Sequence, residues 1–287
     1  MTRKFLKQIA QEVLGPEDAR RIWGRMEFIG DILLIRIPFD MNISKLKVLA
    51  DRILKEFKYV KSVWGGYPGV KTEYRIREFV HLAGEERSET IYREHGCLFK
   101  VDFRKVYISP SLSYEHARIA KLVRDGEVVT NMFAGAGLFS IVIAKHAKPR
   151  IVYSIDINPH AYYYMVENVK LNKVENIVIP LLGDAAEIIS TQLRNTSDRV
   201  LMPYPDIALE YLIYAINAIK EKGYIHIYLH VSSGKEEDPV LTAENIVCNK
   251  LNDLGYNKFV IENGRVVREV APRRYQVVLD VYIDKTF

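Results

Sequence analysis

A chain of 287 residues exceeds the length of one typical domain, and 48% hydrophobic with 27% charged residues is the balance of an ordinary globular protein. No apolar run approaches the roughly 20 residues of a membrane span, the opening MTRKFLK lacks a secretory apolar region, and the widely separated Cys97 and Cys248 argue against a disulfide framework or a structural zinc. A cytoplasmic monomer without bound metal is expected. The net charge of +5 is unevenly placed: residues 1–108 hold 21 Lys and Arg against 15 Asp and Glu, leaving 20 against 21 for residues 109–287. That asymmetry suits a basic module that touches phosphates, joined to a neutral catalytic domain.

In chain order, apolar spacing predicts helices over residues 2–13 and 17–23 and a strand at Asp31–Ile37. A helix follows at Ser44–Phe57, where Leu46, Leu49, Ile53 and Phe57 recur every three or four positions and Ser44 is read as its N-cap. Strands are predicted at Tyr59–Trp64, Tyr74–His81, Glu89–Arg93 and Cys97–Phe103, with Gly65-Gly66 and Pro68-Gly69 turning between the first two. Residues 1–108 therefore read as a small α+β domain. Beyond Pro110, apolar strands alternate with long helices: Glu127–Met132, Arg150–Ile155, Ile177–Leu181, Arg199–Met202 and Tyr224–Leu229, with a late strand at Tyr275–Ile283. Short connections between such units impose right-handed crossovers, so residues 109–287 are expected to form a Rossmann-like, doubly wound, mostly parallel α/β sheet.

The first of these strands runs into Phe133-Ala134-Gly135-Ala136-Gly137, with a helix starting near Leu138. Glycines there let the backbone approach a ligand, and the helix N-terminus behind them offers free N–H groups. Asp156 ends the next strand, where a carboxylate can accept both hydroxyls of a ribose, and Gly183-Asp184 follows the third strand, where adenine contacts occur. A dinucleotide site would carry a third glycine, but that position is Ser140. A nucleotide cofactor without a pyrophosphate, such as S-adenosylmethionine, fits better than NAD.

The motifs VKTEYRIRE, ETIYREHGCLFKVD, KVYISPSL, NMFAGAGLFSI, IDINPHA, LNKVEN and APRRY occur in one order. On them the chain, from about Ile29 to the C-terminus, resembles the tRNA (guanine-37-N1)-methyltransferase family and its relative, the wyosine aminocarboxypropyltransferase. The resemblance implies a class I fold, S-adenosylmethionine as donor, and the purine 3′ of the tRNA anticodon as target, either guanosine-37 N1 or a wyosine precursor. It carries cofactor contacts onto His116, Asp156, Ile157, Asp184, Ala185 and Pro203, beside Phe133, Gly135 and Gly137 of the glycine turn. Two positions depart from the methyltransferases: Ser111 stands where they have arginine, and Pro203 where they have asparagine. The aminocarboxypropyltransferases lack both residues as well.

Methylation of a purine nitrogen needs a flipped base, a proton acceptor and an aligned methyl group. Glu115 and Glu127 are the nearby acids, and Glu115, inside the matched motif, is the expected proton acceptor unless it is tied to Arg118. Arg118 is the arginine expected to stand in for the one lost at Ser111. Tyr204, between Pro203 and Pro205, is expected to stack on the base. For RNA capture, Lys58, Lys61, Lys71, Arg75 and Arg77 interleave with Tyr59, Trp64, Tyr67 and Tyr74. The expected activity is methyl transfer to the tRNA anticodon region, with aminocarboxypropyl transfer as the alternative and a non-catalytic tRNA-binding paralogue as the second.

Overall fold

The computed structural model describes residues 2–69 and 77–286, which form two compact units, Met1–Ser111 and Leu112–Phe287. The division falls three residues beyond the boundary read at 108. Among the described residues no helix is long and apolar enough to cross a membrane.

The first unit opens with α1 (Thr2–Leu14) and α2 (Pro16–Arg21). Strands β1 (Met26–Ile29) and β2 (Ile32–Arg36), helix α3 (Ile43–Glu56), and strands β3 (Ser62–Gly66) and β4 (Phe79–Gly84) follow. They form a four-stranded sheet in chain order, antiparallel except for the parallel β2–β3 pair that α3 connects. Leu46, Leu49, Ala50 and Ile53 turn one face of α3 into a core with Leu33, Ile35 and Ile37 of the β2 segment. A separate hairpin pairs β5 (Glu89–Glu94) with β6 (Cys97–Asp102).

Three local expectations are corrected here. The α3 cap is Asn42, whose side chain accepts the Ser44 N–H at 2.8 Å, and Ser44 is already inside the helix. Gly65 and Gly66 are strand residues, not a turn. A Cβ on Gly65 would lie 2.8 Å from Ile37 Cγ1, so the bare backbone is a packing requirement. Strand β1 was not foreseen. Lys71, Tyr74 and Arg75 lie outside the described residues.

The second unit begins with α4 (Ser113–Leu122), β7 (Val128–Asn131), α5 (Leu138–His146), β8 (Ile151–Asp156), α6 (Pro159–Leu171) and β9 (Val178–Leu182). It continues through α7 (Ala185–Thr191), β10 (Ser197–Met202), α8 (Ala208–Ala218), β11 (Ile219–Ser232), α9 (Pro239–Asp253), β12 (Phe259–Ala271) and β13 (Arg274–Asp284). The seven-stranded sheet has the order β12-β13-β11-β10-β7-β8-β9. Five strands are parallel, and β13 enters antiparallel to β11 and β12, completing the mostly parallel doubly wound sheet expected. Strand β12 was not foreseen, because its half-exposed edge residues show no clean alternation.

Strand order reverses between β7 and β10, which leaves a crevice at their carboxyl ends, the usual ligand position in such sheets. On β11 and β13, Ile225, Ile227, Leu229, Val277, Leu279 and Val281 share one apolar cluster with α7, α8 and α9. The alternate residues, including His226, Tyr228 and Asp280, belong to the other face, which α4 covers.

Candidate functional site

The loop after β7 turns on Gly135 (φ +57°) and Gly137 (φ +90°), both in the left-handed region that penalises a Cβ. A Cβ on Gly137 would sit 3.1 Å from Met165 Cγ. The turn is bound on several sides: Ala134 N–H donates to Ile155 O at 2.8 Å, and the Asn168 side-chain amide donates to Ala136 O at 3.0 Å. Asp156 locks it further, since Oδ2 accepts the Gly135 N–H at 2.7 Å and Oδ1 the Asn158 N–H at 2.9 Å. Burial pushes the Asp156 carboxyl up, and the two N–H donors oppose that shift. Each oxygen keeps a second lone pair, so both hydroxyls of a ribose can still be accepted. Ile157 next to it is 54% exposed.

Around the same crevice, Asp184 caps α7 by accepting the Ala186 N–H at 2.6 Å and also accepts the Tyr211 hydroxyl at 2.7 Å. Burial and this carboxylate push the Tyr211 phenol up to about 12. Tyr211 packs edge-on against Phe133 at 5.4 Å between centroids, and Phe133 packs on Tyr204 at 5.6 Å. The structure thus brings Phe133, Gly135, Gly137, Asp156, Ile157, Asp184, Ala185, Pro203 and Tyr204 to the carboxyl ends of adjacent strands. His116 is buried on α4, its ring 4.3 Å from that of Phe139 in the first turn of α5. Asn131, at the end of β7, was missed by sequence reasoning. It is fully buried, donates to Ser140 Oγ at 3.2 Å, and among the described residues leaves its Oδ1 without a hydrogen-bond partner beneath the glycine turn.

Glu115 and Arg118 are joined: Arg118 Nε donates to Glu115 Oε2 at 3.0 Å, and its terminal nitrogens fork onto Asp280 at 2.6 and 3.1 Å. The guanidinium is therefore committed to carboxylates of its own unit and has no donor fork left to replace an arginine at Ser111. Tyr228 donates to Glu115 Oε2 at 3.0 Å, whereas among the described residues Oε1 accepts no hydrogen bond and pairs with Arg265 at 3.3 Å. From Asp280 the chain of contacts continues to His226 Nδ1 at 2.5 Å, and from His226 Nε2 to Arg199 at 2.6 Å. Arg199 forks onto Glu127 at 2.8 and 3.0 Å.

Because an arginine can only donate, His226 Nε2 must accept and Nδ1 carries the proton toward Asp280. Burial, with Arg199 and Arg118 nearby, pulls His226 below its ordinary value despite Asp280. Burial alone would raise the Asp280 carboxyl, but His226 and Arg118 hold it well below the ordinary carboxylate range. Glu127 lies at the start of β7, at the opposite end of the strand from the glycine turn, so it is an ion-pair partner and not a second acid of the crevice.

Of the RNA residues the structure describes, Lys61 and Arg77 do not share one patch. Lys58 and Lys61 are exposed, but Lys61 adjoins Ser62 at the start of β3, whereas Arg77 lies beyond Phe79, the partner of Gly66 at its far end. At least four strand steps, on the order of 13 Å, separate them. Trp64 is buried, its indole N–H donating to Ser62 Oγ at 2.8 Å, so it is a core residue and not a stacking platform.

Comparison with known proteins agrees with this geometry. The TRM5/TYW2 methyltransferase domain matches residues 90–254. A tRNA 4-demethylwyosine(37)-methyltransferase, Taw21 of Saccharolobus solfataricus, is 45% identical over 92% of this chain and 96% of its own length. A tRNA (guanine(37)-N(1))-methyltransferase, Trm5b of Pyrococcus abyssi, is 40% identical over 92% of this chain and 77% of its own. The tRNA(Phe) (4-demethylwyosine(37)-C(7)) aminocarboxypropyltransferase of Methanocaldococcus jannaschii is 32% identical over 90% of this chain and 97% of its own. Among solved structures, a complex of aTrm5 with tRNALeu superposes with a TM-score of 0.82 at 33% identity, covering 97% of this chain and 78% of that one. M. jannaschii TYW2 in complex with AdoMet gives 0.68 at 29% identity, over 91% and 100%. With more than half its length matched by the domain and relatives well above 30% identity across nearly all of it, the chain belongs to the TRM5/TYW2 methyltransferase family.

Proposed function

We propose that the protein transfers the methyl group of S-adenosylmethionine to the purine at position 37 of tRNA, with 4-demethylwyosine as the favoured acceptor. The observation that carries this reading is the intact crevice at the β7–β10 switch point, together with the 45% identity to the 4-demethylwyosine methyltransferase. The cofactor, when bound, supplies an electrophilic methyl group on a sulfonium. Asp156 would accept the ribose hydroxyls on its remaining lone pairs, and the exposed side chain of Ile157 would offer an apolar surface to the adenine. Pro203 offers no amide, so base alignment falls to stacking on Tyr204. Glu115 is held by Arg118 and Tyr228 through Oε2 and faces Arg265 through Oε1, so it is read as a member of the buried ionic network and not as the proton acceptor.

The departures at Ser111 and Pro203 favour aminocarboxypropyl transfer as the second reading, because the enzymes of that branch lack the same two residues. The two are separated by incubating the protein and cofactor with tRNA bearing either guanosine or 4-demethylwyosine at position 37, then weighing the nucleosides. A methyl increment on either base supports the proposal and identifies the acceptor. An aminocarboxypropyl increment selects the second reading, and no increment despite cofactor binding refutes both. Tyr204→Ala should lower turnover more than cofactor affinity, since stacking orients the base without touching the donor.

A further inference from the structure

The register of the first sheet gathers three arginines at one end of one face. Leu33, Ile35 and Ile37 point into the helix-covered core, so Arg36 between them points to the opposite face. Glu27 pairs with Leu34 and so shares the face of Arg36, as does Arg25 two residues earlier. Gly66 is the β3 partner of Arg36, and Phe79 is the β4 partner of Gly66, which puts Arg77 at the same end. The Phe79 ring packs over Gly66, and beside it Arg25, Glu27, Arg36 and Arg77 line a shallow cleft.

Among the described residues the charges in this cleft do not balance. Glu27 Oε1 lies 3.3 Å from Arg25 and Oε2 lies 4.0 Å from Arg77, so one carboxylate serves both. Among the described residues Arg36 forms no ion pair; its guanidinium instead lies over the Trp23 ring at 4.6 Å, and Trp23 is 40% exposed. Burial and the neighbouring Arg77 and Arg25 depress the Arg36 pKa, with Glu27 opposing them only in part. Like charges held together in a half-buried cleft cost free energy that an anion would recover. Guanidinium forks match phosphate oxygens bidentately, and an exposed indole beside them can carry a sugar or base face.

We propose that Arg25, Arg36 and Arg77, with Trp23 at the rim, form a receptor for backbone phosphodiesters of RNA. The site rests on the tRNA reading above; it keeps Arg77 from the residues expected to capture RNA and adds Arg25 and Arg36 beside it. Among the described residues three cations face one carboxylate, and contacts to backbone phosphates alone read no base sequence.

The test uses the full chain, a tRNA transcript, and the variants Arg36→Gln and Arg25→Gln, with binding measured across a salt series. Each variant should flatten the slope of log affinity against log salt by about 0.7–0.9 and weaken binding roughly five- to tenfold near 0.1 M salt. Thermal midpoints and S-adenosylmethionine affinity should stay at wild-type values, and Arg25→Gln, at the more exposed position, keeps the test sound if Arg36→Gln folds poorly. Unchanged slopes in both variants, with wild-type binding intact, overturn this site alone. Failure of the wild-type chain to bind tRNA overturns the functional reading and the site with it. Unchanged slopes accompanied by loss of thermal stabilisation by inorganic phosphate would assign the cleft to a free anion and overturn the RNA assignment.

Discussion

Replacing Asp280 with alanine should destabilise the second unit far more than an ordinary surface change. The carboxylate accepts both terminal nitrogens of Arg118, Nδ1–H of His226 and the Asn263 amide at 3.0 Å, and its side chain is only 8% exposed. Its loss strands a guanidinium that is itself 13% exposed, and breaking one partner of such a buried pair costs about 3–5 kcal/mol. For a domain of this size each kcal/mol lowers the melting midpoint by roughly 2–4 °C, so a fall on the order of 10 °C is expected. Thermal and urea unfolding of Asp280→Ala, Arg118→Met and the double variant measure this directly. The double variant should lose much less than the sum of the singles, because it leaves no unpaired charge at that link. A single-variant loss below about 1 kcal/mol, or strict additivity, would refute the reading of these groups as a coupled buried pair.

The pH dependence follows from the same groups. His226 has a folded value below its ordinary 6.5, so between those values the unfolded chain binds the proton that the folded chain refuses, and stability falls as pH drops below 6.5. His226→Gln should remove that acid slope in urea titrations across pH. Asp280, with a depressed folded value, contributes stability that is fully present above the ordinary carboxylate range and is lost only in strong acid, so Asp280→Asn should flatten the acid limb. Asp156→Ala should weaken S-adenosylmethionine binding at least about tenfold in calorimetry, since charge-assisted hydrogen bonds to the ribose contribute about 1.5–3 kcal/mol each. Gly137→Ala should cost about 1–2 kcal/mol, because φ +90° penalises an L side chain and Met165 Cγ lies 3.1 Å from the new Cβ. Its cofactor affinity should fall with it, and a wild-type melting midpoint would contradict the crowding.

The cofactor crevice was legible in the sequence because its parts are local: a strand, a glycine turn and acids at strand ends each leave a short signature at known spacing. Asn131 escaped notice because an amide inside an apolar strand gains meaning only from the unpaired oxygen the fold leaves beneath the turn. The ionic network was legible in part. Glu115 and Arg118 are one helical turn apart and suggest a pair, but Asp280 stands 162 residues from Arg118, and only the register of β13 against β11 brings it there. A lone carboxylate in VVLDVYI was nonetheless a warning, since a buried strand does not keep a charge without a partner. The RNA residues were the least legible. Proximity in sequence grouped Lys61 with Arg77, whereas antiparallel pairing carries them to opposite strand ends and groups Arg77 with Arg25 and Arg36.

The antiparallel strand β13 sits between β11 and the edge strand β12, yet it carries the acceptor on which α4 and β11 both depend. Until that strand inserts, His226 Nδ1–H lacks its acceptor, Arg118 keeps only Glu115, and Glu127 and Arg199 lose the far end of their chain of contacts. A partly assembled sheet of five parallel strands is thus penalised by its own polar groups as well as by exposed apolar surface. The β12–β13 hairpin, although last in the chain and at the margin of the sheet, should therefore open only with the whole unit. Amide hydrogen exchange along Val277–Val281 should match that of Val128–Asn131 at the sheet centre and not that of a fraying edge.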